Sequence, residues 1–422
     1  MEKLVIKLKQ HTPLIHFQHD QEGATLRASE VKPKLDRFIL SKLGDGNYEA
    51  GVQIAKKNGW LVGNGDHPSL NYKMRIVSSG EKEEYLLASS LNDSDVSTLN
   101  SKGIKSLGNT SYFAQEKQNT KIIKGQLKWN DIDKKGLIEK GDISMSILFT
   151  DIKMSKFISE IIQSFFICTN FGTRQSKGFG CFIPTLIELN DKPVQLINNE
   201  TFLKQNFVFV YKKKIINSSI SNILSTINND YKLLKSGLTR PYAKSKLMLY
   251  ASSLDSDTGW DKKYIKVYTN DSFESENGDN YLLKCKPENE YDSYSEKERY
   301  LYYRALLGLA EQFEFLLENP PLGNRKNKMI VKVENDEIKR YQSPILFKVI
   351  GNTIYLVGNE IAKGMLGKPF FFLVNFQNDN GYEDVPVNES GEPIYTPSSF
   401  SLRNFISFAM KDHKLGYEGI KK

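Results

Sequence analysis

The chain has 422 residues, 39% hydrophobic and 26% charged. At about 100 to 200 residues per domain that is two or three globular domains, which excludes a single small module and a disordered chain. Its 58 Lys plus Arg against 50 Asp plus Glu leave +8, and its densest apolar run, Phe370 to Val374, has the length of a buried strand and not the roughly 20 residues of a membrane span.

The charge is unevenly placed. From Asp271 to Glu298 nine acidic residues face three lysines, a net of −6, so the rest of the chain carries +14. A body that basic favours a polyanion, with nucleic acid the first candidate. The N-terminus enters a strand-like alternation with no signal peptide, so a cytoplasmic protein is expected. Cys168, Cys181 and Cys285 stand at no CxxC spacing, so neither a disulfide framework nor a structural metal is expected, and no cofactor.

In chain order, Leu4, Ile6 and Leu8 alternate as a strand that ends at Thr12-Pro13. Ser29 then reads as the cap of a helix with Pro33 in its first turn; Val31, Leu35, Phe38 and Ile39 form its apolar face and Lys32, Lys34 and Arg37 its basic one. Residues 44–125 are polar and rich in Gly, Asn and Ser, and read as insertion loops and hairpins. A strand at Ile143 to Phe149 precedes a helix from Ser155 to Thr169, with its cap expected at Asn170-Phe171-Gly172. The turn Gly172 to Gly180 leads to a strand from Cys181 to Leu189, whose Pro184 marks an edge. The polar stretch Asp191 to Glu200 is a domain boundary, giving domains at 1–192 and 193–422.

A similar rhythm follows: a strand at Asn206 to Lys212 and a helix at Ser218 to Leu234. A basic segment from Lys235 to Lys246 includes Arg240. A strand is predicted at Tyr264 to Tyr268, a helix at Glu296 to Leu317, strands at 329–333, 345–350, 354–357 and 370–376, and a last helix at Ser401 to Lys411. Two α+β halves are the simplest description.

The turn Gly172-Thr173-Arg174-Gln175-Ser176-Lys177-Gly178-Phe179-Gly180 carries the clearest chemistry. Its glycines let backbone N–H groups approach a phosphate, Arg174 and Lys177 add charge, and Ser176 adds a hydroxyl. It lacks the Gly-Lys-Ser/Thr ending of a nucleotide-hydrolysing loop, and a strand follows it where a dinucleotide site needs a helix. The competing reading is a tight helix-to-strand connection with incidental cations.

This loop resembles the glycine-rich loop of the RAMP superfamily of CRISPR effector proteins, and most of all that of the first subunit of the type III-B (Cmr) complex. Leu26 to Phe38 is similar to that subunit's N-terminal pattern, and Arg304-Ala305-Leu306-Leu307-Gly308 with Arg340-Tyr341-Gln342-Ser343-Pro344 to its C-terminal pair. Pro33 departs from the family's usual glycine, and residues 44–125 align to nothing in it. The resemblance implies tandem ferredoxin-like (RRM-like) domains with long insertions. It implies a noncatalytic RNA-binding subunit near the 3′ end of the guide RNA, which helps capture single-stranded target RNA for antiviral defence beside other subunits and away from any membrane.

For that role Arg27, Lys32, Lys34, Arg37, Arg174 and Lys177 would contact phosphates, with Gly172, Ser176, Gly178 and Gly180 shaping the loop. Phe179 and Phe171 would stack on bases or, more commonly for buried rings, fill the core. Two other classes compete: a purely structural subunit, and a metal-independent endoribonuclease using His11, His16 or His19, which has no accompanying carboxylate cluster. Arg340 is a lone candidate contact, while Leu346 and Phe347 are expected to pack inward.

Overall fold

A computed structural model describes residues 1–15, 25–63, 69–78, 80–86, 105–107, 122–123, 126–127, 135–216, 219–239, 241–277, 299–316, 328–378, 381–388 and 391–420. The first half is built from β1 (Glu2–Gln10), α1 (Ala28–Leu43), α2 (Tyr48–Lys57), β2 (Tyr72–Ser78), β3 (Ile143–Phe149), α3 (Ile152–Cys168) and β4 (Phe182–Leu189). Its sheet runs β4-β1-β3-β2, every neighbour antiparallel, with Lys192–Pro193 added beyond β4.

Alternation decides the faces. Leu4, Ile6 and Leu8 lie opposite Ile147, Met145 and Ile143, and all six are buried. Val31, Leu35 and Ile39 of α1 and Ile158, Ile162 and Phe165 of α3 pack in the same core. Asp151 starts α3 by accepting the Met154 N–H at 2.7 Å.

The same order recurs in the second half. After α4 (Asn199–Asn206) come β5 (Phe209–Lys214) and α5 (Ile220–Lys235); α6 (Lys246–Leu254) and α7 (Asp261–Asn277) precede β6 (Ile345–Ile350), β7 (Thr353–Gly358), α8 (Leu402–Ala409) and β8 (Glu418–Gly419). The sheet is β6-β7-β5-β8, again antiparallel. In both halves the fourth strand of the repeat lies beside the first, and the third separates the first from the second. The long insertions 236–344 and 359–401 build a further sheet from 258–260, 299–301, 312–316, 328–334, 369–378, 381–386 and 394–395. Among the described residues no helix is long and apolar enough to cross a membrane.

Several sequence expectations are corrected. Residues 44–125 contain α2 and β2, the latter a full member of the first sheet with Tyr72 buried and Lys73 and Arg75 outward. Ser29 lies inside α1, and Arg27 holds the N-cap position without a side-chain bond that caps the helix. Thr169 is extended at the end of α3, so Gly172 does not cap that helix. Tyr264 to Tyr268 is helical, because Tyr264, Ile265 and Tyr268 share one face of α7. Within the helix predicted at 296–317, the described residues 299–316 form the strand Arg299–Leu301, the 3₁₀ turn Tyr303–Leu307 and the strand Gln312–Leu316. Pro184 behaves as expected, for β4 pairs with β1 on one side and barely on the other, with a register shift opposite Leu8.

The halves are joined through β6. Lys348 is fully buried, and its Nζ donates to the carbonyls of Phe166 (2.7 Å), Thr169 (2.9 Å) and Phe182 (3.5 Å). Two of these are orphan acceptors at the C-terminal end of α3, where the helix dipole favours a cation. Burial lowers the Lys348 pKa to about 8, so the cation persists at pH 7. Lys348→Met strands these carbonyls in an apolar seam; urea denaturation should show a loss of about 2 to 4 kcal/mol.

Candidate functional site

The glycine loop sits where α1, α5 and β6 meet. Glu30 of α1 accepts the Gly172 N–H, and Lys34 Nζ donates to Asn170 O (3.1 Å) and Gln175 Oε1 (2.9 Å). Lys34 also lies 5.0 Å from the centre of the Phe171 ring, and burial lowers its pKa. Two segments distant in sequence are thereby fixed together. From the other half, Phe347 N–H donates to Ser176 O (3.1 Å), and Asn170 Nδ2 donates to Phe347 O (2.9 Å) and to Gln175 O (2.7 Å). Phe347 is buried as expected, and Leu346 half-buried.

The loop glycines are required by protein neighbours. A Cβ on Gly172 would stand 2.5 Å from Ile15 O, one on Gly178 2.5 Å from Ile227 Cδ1, and one on Gly180 1.9 Å from Phe171 O; all three have positive φ. Tight packing, more than approach to a phosphate, explains them. Phe171 and Phe179 are 0% and 1% exposed, so neither offers a ring face to a base and the stacking expectation is corrected.

The six cations separate into two groups. Lys32 is held within the fold by Asp36 (2.8 Å), Ser69 Oγ (2.9 Å) and Leu70 O (3.0 Å), and lies over Tyr72; Lys34 is bound as described. Arg37 is exposed, one turn beyond Lys34, with no ion pair among the described residues. Arg27 is half-buried at the start of the same helix. Arg174, itself at φ 55°, has its guanidinium 5.8 Å from the Phe179 ring centre, and burial lowers its pKa. Lys177 lies 5.0 Å from the Tyr231 ring of α5; burial, aided by Arg174 and Lys232, lowers its pKa to about 8. Arg27, Arg37, Arg174 and Lys177 make up the second group, Arg37 exposed and the other three partly buried.

His11 accepts the Gly351 N–H on Nδ1 at 3.0 Å, and burial with Lys348 and Lys9 lowers its pKa to about 4. It is a neutral acceptor joining the halves, unsuited to moving a ribose proton near neutrality. His16, His19 and Arg240 lie outside the described residues, as do residues 278–298 of the acidic stretch. Arg340 pairs with Glu311 at 2.8 Å on the surface. Among the described residues no three His, Cys, Asp or Glu side chains are grouped to hold a metal.

Two groupings of cations come from the structure, although the basic segment from Lys235 and the Arg304 motif were already visible in the sequence. Lys3, Lys7, Lys9, Lys73 and Arg75 are exposed on the open face of the first sheet, a pattern carried by the outward positions of β1 and β2. Lys235 lies close to both Lys177 and Arg304, and Lys262 close to Arg304, a convergence that no sequence spacing announces.

A repeated α+β architecture with a cation-lined seam defines the class, and comparison with known proteins gives the family. Residues 1–238 match the Cmr1 N-terminal domain and residues 242–418 the Cmr1 C-terminal domain. The chain belongs to the Cmr1 family, as the three sequence segments indicated. No curated protein matches it. Among solved structures it is similar to Cmr1 from Pyrococcus furiosus in its apo form, at 10% identity over 99% of this chain and 98% of that one, with a TM-score of 0.34. It is also similar to a chain of the type III-B Cmr-beta bound to cognate target RNA, at 14% identity and a TM-score of 0.26 over 44% of this chain, spanning 60% of that protein's length. A third similarity, to Cmr-beta with target RNA, AMPPnP and ssDNA, has 14% identity and a TM-score of 0.34 over 84% and 93% of the two chains. The family assignment rests on the domain matches.

Gly180→Ala forces a Cβ against a backbone carbonyl at positive φ and should destabilise the protein by about 2 kcal/mol or more, whereas Gly351→Ala, at φ +61° in open space, should cost about 1 kcal/mol. Thermal unfolding of the two variants compares them directly.

Proposed function

We propose that this protein is a noncatalytic RNA-binding subunit of a type III-B CRISPR effector complex. It binds near the 3′ end of the guide RNA and helps capture target RNA for antiviral defence, in the cytoplasm. Membership of the Cmr1 family supports the assembly. The cations gathered along the seam support an RNA partner, since a polyanion is the ligand that several separate point charges can hold at once.

The observation that carries the RNA-binding role is the bonding of α1 to the glycine loop through Glu30 and Lys34. Arg27 stands three residues before Glu30 and Arg37 three after Lys34 on the same stripe of α1, which supports their reaching a strand's phosphates together with Arg174 and Lys177 of the loop. Binding with that many point charges is sequence-tolerant and salt-sensitive, as suits a subunit that must accept any guide.

The two sheets, each with its fourth strand beside its first, support tandem ferredoxin-like (RRM-like) domains with long insertions. We place the boundary at 192/193, within the two-residue strand that closes the first sheet and before α4 and β5 begin the second repeat. The matched N-terminal family domain extends further, to residue 238, and so includes β5 and α5. The endoribonuclease reading draws no support from His11, whose ring is committed to Gly351.

Purified protein should bind single-stranded RNA with an affinity that falls steeply between about 50 and 200 mM salt. Arg37→Ala and Arg174→Ala should each weaken binding several-fold and flatten the log–log salt slope by about 0.7, the share of one phosphate contact on a single strand. Full affinity and slope in both variants would remove α1 and the loop from the interface.

A further inference from the structure

The second half carries buried positive charge that its own carboxylates do not balance. Lys235, at the end of α5, donates to Gly308 O, and its Nζ lies 6.0 Å from the centre of the same Tyr231 ring that Lys177 approaches to 5.0 Å from the other half. The Tyr231 hydroxyl donates to Leu307 O at 2.8 Å, which fixes the ring against the Tyr303–Leu307 turn. Lys262, at the start of α7, donates to Ser236 O at 2.9 Å. Arg304, in the same turn, is 7% exposed; its Nε pairs with Asp261, and its Nη2 is buried without a partner. Neither Lys235 nor Lys262 has a carboxylate within ion-pair distance among the described residues, so one acidic side chain, Asp261, serves this group of cations.

Such an arrangement is costly in the unliganded protein, because desolvated like charges repel and each loses water. Proteins retain costs of this kind where a ligand relieves them. We propose that Lys177, Lys235, Lys262 and Arg304 form a recessed site for one phosphate group at the seam between the two halves. The carbonyl-bound ammonium groups keep further N–H donors for its oxygens, and the free Nη2 of Arg304 supplies another. The inference rests on the RNA-binding reading in assigning that phosphate to a single-stranded RNA; a free phosphate ion is the same chemistry from another source.

The protonation of the cluster gives the site its own signature. Burial, with repulsion from Arg304 and Lys177 and partial relief by Asp261, lowers the Lys235 pKa to about 7. Burial and Arg304, offset by Asp261 and reinforced by Lys266, lower that of Lys262 to about 7 as well. Lys177, facing Arg174 and Lys232, stands at about 8. The neighbouring hydroxyls of Tyr231 and Tyr302 are held neutral, since burial raises both. A bound phosphate favours the charged lysines and draws protons in, so affinity falls as pH rises from about 6.5 to about 8.5.

The test uses the full chain, Lys177→Gln and Lys235→Gln separately and together, a single-stranded oligoribonucleotide, and inorganic phosphate at constant ionic strength. The double variant should bind the oligoribonucleotide at least tenfold more weakly and with a shallower pH dependence, Lys262 alone still titrating there, while its melting temperature without ligand is equal to or above that of the parent, because repulsion has been removed. Phosphate should raise the melting temperature of the parent and leave that of the double variant unmoved. Unchanged RNA affinity in the double variant overturns the site while leaving the RNA-binding role intact; so does a lower unliganded melting temperature with no phosphate effect in the parent, which assigns the lysines to folding. A parent that binds no RNA but is stabilised by phosphate supports the site with free phosphate as its source, and sinks the RNA-binding role instead.

Discussion

Lys348 caps a helix that belongs to the other half of its own chain. The last carbonyls of α3 have no helical partners, and the strand that follows the loop offers one more carbonyl at Phe182; the single ammonium group answers all three. A buried cation without a carboxylate is unfavourable unless its hydrogen bonds are complete, so β6 must sit where it does. Asn170 and Ser176 then bond to Phe347, one residue away, and His11 to Gly351 just beyond. The glycine loop is thus held on both sides, by α1 through Glu30 and Lys34 and by β6 through Phe347.

That placement decides what the loop can offer to a ligand. Its glycines and Phe179 are consumed by packing, and its backbone is closed on itself by the bonds between Phe171 and Gly180 and from Gly180 to Pro13. What the loop adds is charge: Arg174 and Lys177, the latter close to Lys235 of the second half. The loop is a rigid support for cations. Its rigidity matters for binding, because side chains already held in place lose less freedom when a polyanion arrives.

Much of this architecture was legible. Alternation in β1, β3, β6 and β7 and the helical spacing of α3 and α5 predict most of both sheets, because each element buries one face against a core. The failures have physical causes. In Tyr264 to Tyr268 the aromatic and β-branched residues suggest a strand, yet their spacing also fits one face of a helix, and packing against Tyr300 and Phe372 chose the helix. The motif Arg304 to Gly308 has helix formers throughout, but Gly308 at φ +110° stops the turn, and Asp261, distant in sequence, fixes Arg304. In β2 the alternating Tyr72, Met74 and Ile76 were present but surrounded by polar insertions. Of the candidate site, the positions of the cations could be read, while the contacts that hold Lys32, Lys34 and Lys177 within the fold depended on tertiary partners such as Asp36, Gln175 and Tyr231.

If the seam held by Lys348 presents cations from both halves along one path for RNA, that path can be located directly. Photo-crosslinking of a 4-thiouridine-bearing single-stranded RNA, followed by mass spectrometry of the adducts, reads it residue by residue. The adducts should fall on peptides containing Arg37, Lys177 and Tyr231. Adducts confined to the open sheet face around Lys7, Lys73 and Arg75 would contradict a path along the seam.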